Sequence, residues 1–124
     1  MRLLLDTHVL LWWLADREIS AGSRRAIADP TNDVAVSAAS AWEISIKKAL
    51  GKLVAPDDLE EQIQAGGFTP LPIRIDHAIA AGALPRHHDD PFDRMLIAQA
   101  RTEQLTLVSR DDRFRDYDVV LLPA

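Results

Sequence analysis

The sequence predicts an α/β fold, a three-layer α/β/α sandwich around a mostly parallel central sheet of about five strands. Its strand-like runs, such as "RLLL" and "LTLVS", are short and continuously apolar, as expected for strands buried on both faces. Helical segments separate them, which argues for parallel crossovers instead of hairpins. The chain has 124 residues, 48% apolar and 27% charged, enough for one core and hence one domain over residues 1–124.

Along the chain, "RLLLD" reads as a buried first strand and "HVLLWWLADRE" as a helix after it. Ser20 is placed to cap a second short helix in "SAGSRRAIAD", which stops before Pro30. "DVAVS", small and β-branched, is the second strand. It leads into the helix "AASAWEISIKKALGKL", closed by Gly51, with Trp42, Ile46, Ala49 and Leu50 on one face. Asp57 is expected to cap "LEEQIQAGG" and Gly66 to end it, before a third strand in "FTPLPI". Asp76 is expected to cap "HAIAAGAL". The strongest helix start lies in "DDPFDRMLIAQARTEQ", with Asp90 as N-cap, Pro91 first and Asp93 third. "LTLVS" and "VVLL" complete the sheet, with "RDDRFRDY" a turn or short helix between them.

Composition narrows the function. There is no Cys, which removes disulfides, thiolate metal sites and a cysteine nucleophile and fits a reducing cytoplasm. No apolar run approaches the roughly 20 residues that span a bilayer, and Asp6 and His8 interrupt the opening run as no signal peptide would. A net charge of −5 argues against coating nucleic acid through bulk charge. Local basic patches remain at Lys47, Lys48 and Lys52 and at Arg110, Arg113 and Arg115.

In open parallel sheets functional groups gather beyond the carboxyl ends of the strands. Asp6 follows "RLLL" directly, and Asp111 lies two residues past "LTLVS". Glu43 sits one to two turns into the helix after the second strand, and Asp93 in the first turn of its own helix. Four carboxylates can therefore meet at one cleft. Two unit charges 4 Å apart repel by about 4 kcal/mol at an effective dielectric near 20, so such a cluster takes up protons or a cation. Oxygen ligands without Cys point to Mg²⁺, with Mn²⁺ as the alternative, and Mg²⁺ with phosphate oxygens suits phosphodiester hydrolysis.

The segments "LLLDTH", "SAASAWEISIK", "DPFDRMLIAQA" and "SRDDRF", in this order and spacing, resemble the PIN-domain family, and more narrowly the VapC toxins of bacterial toxin–antitoxin pairs. The resemblance covers nearly the whole chain. It implies a PIN-like sandwich, usually dimeric, acting as a metal-dependent ribonuclease and inhibited by a VapB antitoxin. Carried over residue by residue, the family's acids fall on Asp6, Glu43, Asp93 and Asp111, as catalytic and metal-binding residues. Thr7 and Ser109 match its small hydroxyl positions. Asp89, Asp90 and Asp112 are additional acids beside these positions, so Asp90 or Asp112 is able to share a ligand role.

Each residue also has a plainer reading. Asp6 is in a common helix-cap position, Asp93 complements a helix dipole, and Asp111 and Asp112 suit a turn. For Asp90 the cap reading is the stronger, because Pro91 follows it. Periodicity alone leaves Glu43 undecided. His87 and His88 read as surface polar residues of a loop, without the spacing of a zinc site. His8 is placed to touch substrate or to support Asp6. Of Trp12 and Trp13, about 100° apart on a helix, one is expected in the core and the other at a subunit or antitoxin contact. An RNA-contacting rim is expected from Lys47, Arg86, Arg94, Arg110 and Arg113. Two other classes compete. A phosphoaspartyl phosphatase would want an Asp where His8 stands, and a non-catalytic binding module would have no need of four acids in register.

Overall fold

The computed structural model describes residues 1–124. The elements in chain order are β1 (Arg2–Leu5), α1 (Thr7–Leu14), α2 (Ala21–Ala28), β2 (Asp33–Ser37), α3 (Ala38–Ala49), α4 (Leu59–Ala65) and β3 (Thr69–Leu71). There follow α5 (Ile75–Ala83), α6 (Pro91–Glu103), β4 (Thr106–Ser109), a 3₁₀ turn (Asp112–Asp116) and β5 (Leu121–Pro123). All five strands are parallel, in the order β3-β2-β1-β4-β5. No helix is long and apolar enough to cross a membrane.

Burial on both faces explains the continuously apolar strands. Leu3 and Leu5 of β1, Val34 and Val36 of β2 and Val108 of β4 point to one side, where they pack with Val9, Leu10, Ile27 and Ile44. Leu4, Ala35 and Leu107 point to the other, against Ala81, Leu96, Ile97 and Ala100. The period of two sends neighbouring residues into opposite layers, and helices cover both.

The order of the strands positions the site. The chain leaves β1 towards β2 and β3, then returns to lay β4 on the other flank of β1. Between β1 and β4 the order reverses, and in doubly wound sheets a crevice opens at such a point beyond the strands' carboxyl ends. Leu5 pairs with Val108 at that edge, and the Asp6 amide donates to the Val108 carbonyl at 3.0 Å.

Several local expectations change. The first helix stops at Leu14, because Ala15 closes it and Asp16 takes a left-handed φ of 52°. α4 begins after Asp58, while Asp57 pairs with Lys48. Arg74, and not Asp76, is the N-cap of α5; His77 Nδ1 accepts its amide, and Asp76 pairs with the Arg74 guanidinium. The third strand keeps only Thr69–Leu71 of "FTPLPI", and the last lies at Leu121–Pro123, two residues beyond the start of "VVLL". Trp42 and Leu50 are exposed, so the inward face of α3 is Ala39, Ser40, Glu43 and Ile44. Trp12 and Trp13 are both partly buried against the core, with the guanidinium of Arg110 4.2 Å from the Trp12 ring and that of Arg24 5.5 Å from the Trp13 ring.

Candidate active site

Asp6 is the first residue past β1, at the N-cap position of α1, yet its side chain makes no cap hydrogen bond. The carboxylate is turned inward and only 4% exposed. Its Oδ2 accepts from Ser109 Oγ at 2.8 Å, while Oδ1 is buried with no partner. Burial raises its pKa above the ordinary carboxylate value, and the Ser109 hydrogen bond and the neighbouring His8 only partly oppose that. Ser109 Oγ also accepts the Asp111 amide at 3.0 Å, so one hydroxyl ties the first and last acids together.

Ser37, at the end of β2, caps α3 by accepting the Ala39 amide. One and a half turns on, Glu43 is 3% exposed, with Oε2 2.6 Å from Lys47 Nζ and Oε1 buried and unpartnered. Thr7 donates to Ser40 on the same helix at 3.0 Å, which fixes α3 against the end of β1.

α6 supplies the third acid. Asp90 caps it by accepting from the amides of Phe92 and Asp93 at 2.8 and 3.1 Å, which employs its carboxylate structurally. Asp93 lies at the centre of the negative charge. Burial, then repulsion from Asp6, Asp90, Glu43 and Asp111, pushes its pKa up to about 8. The fourth acid behaves oppositely: Arg113 grips both oxygens of Asp111, with contacts of 2.7 to 3.1 Å, and lowers its pKa. Asp112 is exposed and faces Arg115, outside the cluster.

The histidine pair divides. His87 is exposed beside Tyr117, but His88 is 6% exposed, a correction to its reading as a surface residue. Its Nε2 lies 2.9 Å from Asp93 Oδ2 and 3.9 Å from Asp111 Oδ2. Together His88, Asp93 and Asp111 bring ligand atoms within 4.8 Å of one another. Sequence reasoning missed this residue because the contacts that bury it come from distant segments. The available signal was its adjacency to Asp90 and Pro91, which anchors the loop to α6.

The basic rim also changes. Arg94 is not free for RNA: its guanidinium donates to the carbonyls of Ala81, Leu84, Pro85 and His88 at 2.9 to 3.2 Å. The residue clamps the loop between α5 and α6. Arg94→Ala is expected to cost about 3 kcal/mol, since several charge-assisted hydrogen bonds to otherwise unpaired carbonyls vanish together, and urea unfolding measures it. Arg110 is partly committed, donating to the carbonyls of Glu18 and Ala124. Arg86 is exposed, and Lys47 and Arg113 reach the cleft through Glu43 and Asp111. His8 is exposed near Asp6, its ring 5.9 Å from that of Trp12.

Buried carboxylate oxygens without donors, among acids from four separate segments, fit a hard cation that takes oxygen ligands. A folded protein does not ordinarily leave such atoms unpaired.

Comparison with known proteins bears on the family. The family model described as PIN domain matches residues 3–120. Ribonuclease VapC22 of Mycobacterium tuberculosis is 32% identical over 123 residues, covering 92% of this chain and 90% of that protein. Among solved structures, VapBC2 of Rickettsia felis, bound to a DNA fragment from its promoter, superposes with a TM-score of 0.74 at 14% identity, covering 99% of this chain and 98% of that one. DNA-bound VapBC of Salmonella typhimurium gives 0.71 at 15% identity, with coverage of 99% and 98%. A shared sheet, a family match across nearly the whole sequence and a ribonuclease relative of matching length lead to one conclusion: the chain belongs to the PIN domain family.

Proposed function

We propose that this chain is a metal-dependent endoribonuclease, the toxin of a VapBC-type pair, and that it cleaves RNA phosphodiester bonds at the acidic cleft. The observation that carries the reading is the pair of buried, unpartnered oxygens, Asp6 Oδ1 and Glu43 Oε1, in a cluster where Asp93 already holds its proton to about pH 8. Asp6, Glu43, Asp93 and Asp111 would hold Mg²⁺ or Mn²⁺. When bound, such an ion polarises a phosphoryl oxygen and lowers the pKa of water.

The chain's own groups then have distinct tasks. Ser109 orients Asp6 and the Asp111 backbone, and Thr7 locks the helix that carries Glu43. Lys47, a third exposed and hydrogen-bonded to Glu43, offers an ammonium to a phosphate entering the cleft. Arg113 exchanges one partner for another: it leaves Asp111 for a substrate phosphate, a swap of bidentate partners. Arg86 extends the same rim. The further partners are a VapB-type antitoxin and a second copy of the chain, in the cytoplasm.

Protein freed of metal and of any co-purified antitoxin is expected to leave structured RNA intact in EDTA and to cleave it when Mg²⁺ or Mn²⁺ is restored, as read on denaturing gels. Cleavage that persists in EDTA would refute the metal-dependent reading.

A further inference from the structure

His88 has every polar group but one fixed by the fold. Its amide donates to Tyr117 Oη at 2.9 Å, and Tyr117 in turn donates to the Pro85 carbonyl at 2.8 Å. Its carbonyl accepts from Arg94 at 3.2 Å, and its ring lies 6.0 Å from that of Phe114. The backbone N–H of Asp90 donates to Nδ1 at 3.2 Å. A nitrogen that accepts a backbone N–H carries no proton, so the imidazole proton sits on Nε2. Nε2 is the group left over: buried, beside Asp93 and Asp111, at an angle that completes no hydrogen bond.

That tautomer decides what His88 does. A metal ligand must present a bare nitrogen, and Nε2 becomes bare only if the proton moves to Nδ1, where it would oppose the Asp90 N–H. We propose that His88 is a positioning residue: its Nε2–H, 2.9 Å from Asp93 Oδ2 and turned off the hydrogen-bond line in the metal-free site, closes a hydrogen bond to that carboxylate when a cation draws it into place, and so holds Asp93 for the cation without binding the cation itself. The ligands contributed by the protein are then oxygens alone, although a histidine lies within reach. The inference rests on the metal site proposed above. It also gives the Arg94 clamp and the Tyr117 hydrogen bonds a purpose, since both hold the loop that aims this ring.

Two measurements test it. Long-range ¹H–¹⁵N correlation spectra of the metal-free and Mg²⁺-loaded protein should show His88 protonated at Nε2 in both. Loss of that proton on loading would make His88 a ligand and overturn the proposal. Calorimetric titration with Mn²⁺ should then show affinity weakened about 10–100-fold in His88→Phe, which keeps the ring and removes the donor. His88→Gln, which keeps a donor at similar reach, should recover most of it. Equal affinity in His88→Phe and wild type, or an equal loss in both variants, overturns the positioning role. Wild-type protein that binds no Mn²⁺ overturns the metal site and, with it, this inference. Should His88→Phe fail to fold, the spectra and the Gln variant still decide.

Discussion

Asp6→Asn is expected to lower RNA cleavage by about 10³-fold or more while leaving the metal-free protein at least as stable as wild type. The two halves of this result have one cause. Asp6 is 4% exposed, and its single hydrogen bond, from Ser109, can be accepted equally well by the Asn carbonyl oxygen. What the substitution removes is a charge that burial already disfavours and that repels Asp93. Relief of that repulsion offsets any loss of packing, so the thermal midpoint in EDTA should hold or rise. Activity has no such compensation. Loss of a single preorganised electrostatic contact at a reacting centre costs about 10²–10³-fold, and a lost ligand also weakens the cation that supplies several such contacts. A fluorogenic RNA assay beside a circular-dichroism melt reads both quantities. Cleavage within tenfold of wild type by the folded variant would remove Asp6 from the chemistry.

The parts of this site that were legible in the sequence are those attached to the ends of elements. Asp6 and Asp111 follow apolar runs that can only be strands, and Asp93 belongs to a capping pattern that marks its helix to the residue. Glu43 was harder. An amphipathic reading turns Trp42 and Leu50 inward, but the inner side of α3 faces an acidic cleft at this level, so a carboxylate occupies the buried position and the Trp lies outside against Phe92. His88 and Arg94 were illegible for another reason. One owes its burial, and the other its partners, to the turn between α5 and α6 and to Tyr117 nearly thirty residues on, none of which has a local pattern. The misassigned caps at Asp57 and Asp76 show the same limit on a smaller scale, since each was drawn off by a nearby cation, Lys48 and Arg74.

The metal-free protein should lose stability as pH rises from about 4 to 8, contrary to a small acidic protein whose carboxylates are mostly paired. In the unfolded chain the Asp93 carboxyl gives up its proton near pH 4, but in the folded protein it keeps the proton to about pH 8. Between those values the folded state binds more protons than the unfolded state, so ΔG of unfolding falls with pH. Each unit of difference is worth about 1.4 kcal/mol, and a loss of roughly 4 kcal/mol across the window allows for partial solvation of the group. Asp6, raised in the same sense, adds to the slope. The acids whose pKa is lowered, among them Asp111 with Arg113 and Glu103 with His77 and Arg74, lose their contributions only as pH falls below about 4.5 and leave the range from pH 5 to 8 untouched. A divalent cation reverses the trend, because it binds the ionised cluster and stabilises the folded state by mass action. Urea midpoints in EDTA should therefore decline from pH 5 to 8, those in millimolar Mn²⁺ should not, and Asp93→Asn should flatten the EDTA curve. Stability in EDTA that rises over this range would show that the cluster is not the dominant strained charge. If the decline is found, metal affinity must climb over the same interval, because the proton that Asp93 holds and the cation compete for one carboxylate.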